Sequence, residues 1–221
     1  MEITYLEKYF YTDLMKLILD YVNLIKYEDE LSEIPDKYIG NIIIKINENK
    51  YDKEYRKFIR RANIRFDKIP DTLINLNYLN CHNTNITVIP NTLINLTHLN
   101  CQWTNITSIP STLINLTELR CYCTDITAIP NTLINLTYLD CDNTDITAIP
   151  DTLIDLIYLY CSDTNVSIIP NTLINLTCLN CIDTDITEIP DTLIDLIYLY
   201  CSDTNVSIIP NTLINLTCLN C

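Results

Sequence analysis

Residues 69–88 read IPDTLINLNYLNCHNTNITV, and the same twenty-residue pattern returns until an incomplete eighth copy ends at Cys221. Isoleucine-proline marks each return, at Ile69-Pro70, Ile89-Pro90, Ile109-Pro110, Ile129-Pro130, Ile149-Pro150, Ile169-Pro170, Ile189-Pro190 and Ile209-Pro210. The unit is IPxTLIxLxxLxCxxTxIT, with Val-Ser replacing Ile-Thr in two copies, and residues 149–181 are identical to 189–221. A fixed short period means stacked supersecondary units, none of which can bury its apolar residues alone. Leu79 and Cys81, two apart and flanked by polar or aromatic residues, predict a short strand with one face inward. Pro70 followed by Asp71, Thr72, Leu73 and Ile74 predicts one helical or 3₁₀ turn, because proline is tolerated in a first turn. Ladders of Leu76, Leu79, Cys81, Ile86 and Ile89 then form a shared interior, in which burying each Leu or Ile contributes about 1.5–3 kcal/mol.

The stretch Leu76-Asn-Tyr-Leu79-Asn-Cys81-His-Asn-Thr84-Asn-Ile86 resembles the LxxLxLxxNxL core of leucine-rich repeats, and the resemblance covers 69–221. The twenty-residue length is similar to bacterial effector repeats, Ile-Pro-x-x-Leu to plant-type repeats, and the unit as a whole to giant-virus repeat proteins. The resemblance implies an α/β solenoid with a parallel sheet on its concave face and short helical or 3₁₀ turns on its convex face. One departure is that threonine (Thr84, Thr104, Thr124, Thr144, Thr164, Thr184, Thr204) stands where the family has asparagine. A hydroxyl donates and accepts, so these threonines are expected to bond along the stack.

Composition narrows the function. The chain of 221 residues has one glycine, so it carries neither a P-loop nor a dinucleotide-binding fingerprint. No signal peptide or membrane-spanning stretch is legible, which predicts a soluble cytoplasmic protein (host cytoplasm if the gene is viral) whose 11 cysteines stay thiols. The net charge of -14 is unevenly placed. Residues 1–68 hold 13 of the 14 basic residues against 13 acids, whereas 69–221 hold Arg120 against 15 acids. An acidic solenoid repels phosphate, which argues against nucleic acid and anionic membranes and favours a basic protein partner.

Segment 1–68 is expected to be a helical N-terminal cap. Leu6, Tyr9, Phe10, Leu14, Leu17, Ile18, Tyr21, Val22 and Ile25 follow helical spacing over 4–26, and a second helix is predicted over 50–62. Ile34-Pro35 with Ile39, Ile42, Ile44, Ile46 and Asn49 reads as a decayed repeat over 34–53. The alternative is a degenerate F-box-like module that recruits a ubiquitin-ligase adaptor, although no Leu-Pro start supports it.

Outward strand positions vary while inward ones hardly do. Tyr78, Trp103, Arg120, Tyr122, Tyr138, Asp140, Tyr158, Tyr160, Tyr198 and Tyr200 are the candidate protein-binding residues, because Tyr, Trp and Arg dominate interface energetics. No catalytic, metal or cofactor site is expected. Cys178 and Cys181 point to opposite faces of a strand, and Cys178 and Cys218 lie two rungs apart, about 9.5 Å, too far for one zinc. Cys123, His98 and Glu118 lie on neighbouring rungs but lack oxyanion donors and shelter from water, so they read as ordinary surface residues. The last strand predicts self-association through a bare sheet edge.

Overall fold

The computed structural model describes residues 61–63 and 68–221. Nine three-residue strands form one parallel sheet in chain order: β1 (Arg61–Asn63), β2 (Tyr78–Asn80), β3 (His98–Asn100), β4 (Glu118–Arg120), β5 (Tyr138–Asp140), β6 (Tyr158–Tyr160), β7 (Cys178–Asn180), β8 (Tyr198–Tyr200) and β9 (Cys218–Asn220). From β2 onward every residue pairs with the one twenty positions later, as in Leu79↔Leu99 and Leu139↔Leu159. The ladder outlasts the strand: the Cys81 amide donates to Asn100 O (2.8 Å) and the Asn83 amide to Gln102 O (2.9 Å). The inward positions form the core, and Leu73, Leu76, Leu79, Cys81 and Ile86 are fully buried.

Three expectations change. The sheet begins at β1, whose Ala62 pairs with Leu79, inside the segment assigned to the cap. Residues 61 and 62 are therefore strand, not the end of a helix over 50–62. The helix over 4–26, the decayed repeat over 34–53 and the recruitment module lie outside the described residues.

The side opposite the sheet carries no helical or 3₁₀ segment, and no helix occurs among the described residues. Each coil makes two successive turns that share one residue: Leu73 N donates to Pro70 O (3.4 Å) and Leu76 N to Leu73 O (3.0 Å). A helix would need the carbonyls between them. Those are taken by the following coil, where Thr92 Oγ1 donates to Asp71 O (2.7 Å) and Asn95 Nδ2 to Ile74 O (3.0 Å). The same threonine bond recurs on every later coil, for instance Thr132 to Ser111 O and Thr172 to Asp151 O, both 2.7 Å.

Thr84 and its equivalents do not bond along the stack. Each hydroxyl donates to the carbonyl three residues back, Thr84 to Cys81 O at 2.6 Å and Thr144 to Cys141 O at 2.7 Å, and so closes its own post-strand turn. At this position the carbonyl three residues back lies within reach of the hydroxyl, which is thereby kept within its own coil. Stack-direction bonding falls instead to Thr92, Asn95 and Thr97, whose Oγ1 donates to Asn77 O (2.9 Å), and to their equivalents.

Asn95, Asn115, Asn135, Asn175 and Asn215 all donate to a carbonyl of the preceding coil, whereas Asp155 and Asp195 hold the equivalent positions in their coils and have no amide to give. Asp155→Asn should restore a bond to Ile134 O and raise stability by about 0.5–1.5 kcal/mol, read as a higher urea midpoint. An unchanged or lowered midpoint would show that this tie contributes nothing.

Candidate functional site

Alternation along β2–β9 sends the first and third residue of each strand to the outer face of the sheet. On that face the side chains of β4–β6 touch in sequence. Arg120 Nε donates to Glu118 Oε1 (2.7 Å), and its guanidinium carbon lies 4.7 Å from the Tyr138 ring centroid. Tyr138 in turn lies 5.9 Å from Tyr158 and 5.6 Å from Tyr160, tilted in both pairs. These are separations at which ring quadrupoles attract. Tyr78 meets His98 at 6.2 Å on β2–β3. Tyr158 and Tyr198 are 42 % and 43 % exposed. Tyr160 and Tyr200 each accept a weak bond from a thiol of the next strand, Cys178 and Cys218, both at 3.8 Å.

Asp140 and Asp142 form a half-buried carboxylate pair on this side of the sheet. Gln102 Nε2 donates to Asp140 Oδ2 (3.5 Å), and the Ser162 amide donates to Asp142 Oδ1 (2.7 Å). Burial pushes the Asp142 carboxyl up to about 6, with Asp140 adding to the shift and the Ser162 amide opposing it. Asp140 Oδ1, Ser162 Oγ and Asn180 Oδ1 are buried without a hydrogen-bond partner.

Trp103 and Tyr122 pair, but beside the sheet. The indole Nε1 donates to Tyr122 Oη (3.0 Å), with the rings edge to face at 5.7 Å. Trp103 occupies a turn position shared with Asn83, Cys123, Asn143, Asp163, Asp183 and Asp203, all with φ between 50° and 56°. Asn and Asp tolerate that left-handed region, whereas Trp and Cys strain in it. The sequence read these residues as part of the strand's outward row and missed the turn. The single glycine of the chain lies elsewhere, and glycine is the residue that would have signalled it.

The same turns line a groove of about 740 Å³ that includes Asp125, Asp145, Asp163, Asp183, Asp185 and Asp203 with Thr124, Thr144, Thr164, Thr184 and Thr204. None of these aspartates is among the candidate residues singled out from the sequence. The threonine hydroxyls there are already spent on the carbonyls three residues back. His98 Nε2 lies 3.9 Å from Glu118 Oε2, and burial together with nearby aspartates pushes the Cys123 thiol up, away from the nucleophilic thiolate. All eleven cysteines are free thiols, and the inward ones from Cys81 to Cys201 form a buried ladder.

Two outcomes are expected. Cys123→Asn should stabilise the fold by about 0.5–1 kcal/mol in urea denaturation, since asparagine suits the left-handed turn; destabilisation would count against strain at this position. The Asp142 carboxyl binds its proton more strongly folded than unfolded, so its favourable contribution is complete below its ordinary value near 4 and is lost as pH rises through about 6. The urea midpoint should therefore fall less for Asp142→Asn than for wild type between about pH 4 and pH 6.5. Parallel profiles would refute the shift.

No family model and no curated protein matches the sequence. Among solved structures the chain is similar to a leucine-rich-repeat protein of Leptospira interrogans, with 22% identity and TM-score 0.66 over 76% of this chain and 50% of that one. It is also similar to a functional domain of InlJ from Listeria monocytogenes that includes a cysteine ladder, with 24% identity and TM-score 0.59 over 75% of this chain and 44% of that one. A third likeness is to a plant peptide hormone receptor in complex with RGF2, with 19% identity and TM-score 0.60 over 76% of this chain and 37% of that one. The chain thus spans half the length of these proteins or less. The twenty-residue register, the inward leucine and cysteine ladders and these likenesses agree: the chain folds as a leucine-rich-repeat solenoid.

Proposed function

We propose that the outer face of the sheet is a docking surface for a basic protein, and that the chain serves as an interaction module and not as an enzyme. The observation that carries this reading is the contiguous run Arg120–Tyr138–Tyr158–Tyr160 on a sheet whose inward leucines from β2 to β8 are committed to the core. Tyrosine supplies large, rigid contact area at low entropic cost, and a three-residue strand repeated in register sets such side chains on a stiff platform. The acids beside the run would draw a basic partner in. A plant peptide hormone receptor of like fold is seen in complex with RGF2, which is consistent with a protein or peptide ligand here.

The test is selection of binders to the immobilised protein from a random peptide display library. Replacing Tyr138, Tyr158, Tyr160 and Tyr198 together by Ser should abolish binding of the selected peptides while leaving the far-ultraviolet circular dichroism unchanged. If these peptides bind the quadruple variant as before and lose affinity for Asp163→Asn/Asp183→Asn/Asp203→Asn instead, the acidic groove and not the sheet face is the site.

A further inference from the structure

The sheet face carries a worked example of the ligand it suits. Arg120 is the sole basic residue of 69–221, and its guanidinium is held by Glu118 at one side and by the Tyr138 ring below it. Beyond it the face continues with tyrosines, Tyr158 and Tyr160 on β6 and Tyr198 and Tyr200 on β8, yet residues 121–221 contain no lysine or arginine. The rings of β6 and β8 are the same kind of platform without a cation from their own repeats.

We infer that the tyrosine pairs of β6 and β8 each receive an arginine of a partner segment, with the two arginines three residues apart in a polyproline II chain. This inference rests on the sheet face being the docking surface and names what docks there. Arginine is favoured over lysine because the guanidinium is planar and weakly hydrated, so it stacks on a ring and loses little by leaving water. Asn180 stands between Tyr160 and Tyr200 in the register, and its Oδ1 has no hydrogen-bond partner, while a guanidinium donates five N–H bonds and accepts none. The charge is complementary as well, with 15 acids against Arg120 in 69–221.

The spacing follows from two repeats. β6 and β8 are two rungs apart, about 9.5 Å at the usual strand separation. A polyproline II chain has three residues per turn and rises about 3.1 Å per residue, so positions i and i+3 share a face about 9.3 Å apart. An extended strand meets the same distance only by placing its residues on opposite faces. The identity of 149–181 with 189–221 gives the two tyrosine pairs the same following strand, which suits a ligand that repeats as well, although Tyr138 packs beside the first pair and Cys178 and Asn180 precede the second.

Fluorescence anisotropy with labelled Pro-Arg-Pro-Pro-Arg-Pro tests this, against the lysine peptide of equal charge and a peptide with the arginines two apart. The full chain should bind the first roughly tenfold more tightly than either control. Tyr158→Leu/Tyr160→Leu/Tyr198→Leu/Tyr200→Leu should remove that preference, and the corresponding Phe variant, which keeps the ring faces, should retain most of it. Equal affinity of wild type for arginine and lysine peptides would overturn the inference, leaving only general attraction to an acidic protein. So would a Phe variant that fails to distinguish them. Display-selected peptides that need the sheet face but carry no paired arginines would overturn this inference and leave the docking surface standing.

Discussion

Everything in this solenoid depends on one coil completing the hydrogen bonding of the next. A three-residue strand and two turns leave most of a coil's carbonyls without a partner inside that coil. The coil before or after supplies the missing group: sheet amides on one side, Thr92, Asn95 and Thr97 with their equivalents on the other. Buried or half-buried backbone groups are costly when unpaired, so a coil out of phase would lose both ladders together with its leucine contacts. The twenty-residue period is therefore enforced from three directions, and stability is a sum of neighbour terms.

That division of labour explains which positions are free to vary. The inward leucines and the cysteine are fixed by volume, and the threonines and asparagines by the carbonyls they satisfy. What remains is the outer row of the sheet and the left-handed turn after it. Tyrosine and asparagine accumulate in the first, with single Arg120 and Asp140 among them. The second tolerates Trp103 and Cys123 in a conformation that suits asparagine, which shows that the neighbouring coils hold the turn in place even where the residue resists it.

The period, the inward ladder, the pairing register and the tyrosine face were all legible in the sequence, because each follows from alternation and repetition. Other features were not. Pro70-Asp71-Thr72-Leu73 fits the first turn of a helix locally, and only the neighbouring coil's Thr92 and Asn95 reveal that its carbonyls are already engaged. The role of Thr84 depended on a local carbonyl, Cys81 O, that only the folded turn brings to its hydroxyl. β1 lacks the repeat's leucine at its centre, with Ala62 there instead, so no pattern marked it. Of the ten residues singled out, Arg120, Tyr138, Tyr158 and Tyr160 are brought into contact. Trp103 and Tyr122 pair separately, and Tyr200 repeats the thiol bond of Tyr160 two rungs away, without a ring like Tyr138 before it.

The same constraint bears on which side chains of the described residues keep spare capacity. Catalysis needs groups with spare capacity: a hydroxyl free to transfer a proton, a thiol near its ionisation range, donors converging on one point. Here the threonine hydroxyls are donated to carbonyls, the inward thiols are buried with their ionisation pushed far up, and the half-exposed Cys123 is shifted the same way by burial and then by its aspartate neighbours. Among the described residues, most threonine and asparagine side chains away from the sheet face hold coils in phase. The solenoid's remaining resource is shape: ring faces and carboxylates at a fixed interval along a stiff stack. Such a surface discriminates by the spacing of what it meets, and a ligand whose own repeat matches two rungs gains at both places for a single loss of translational freedom.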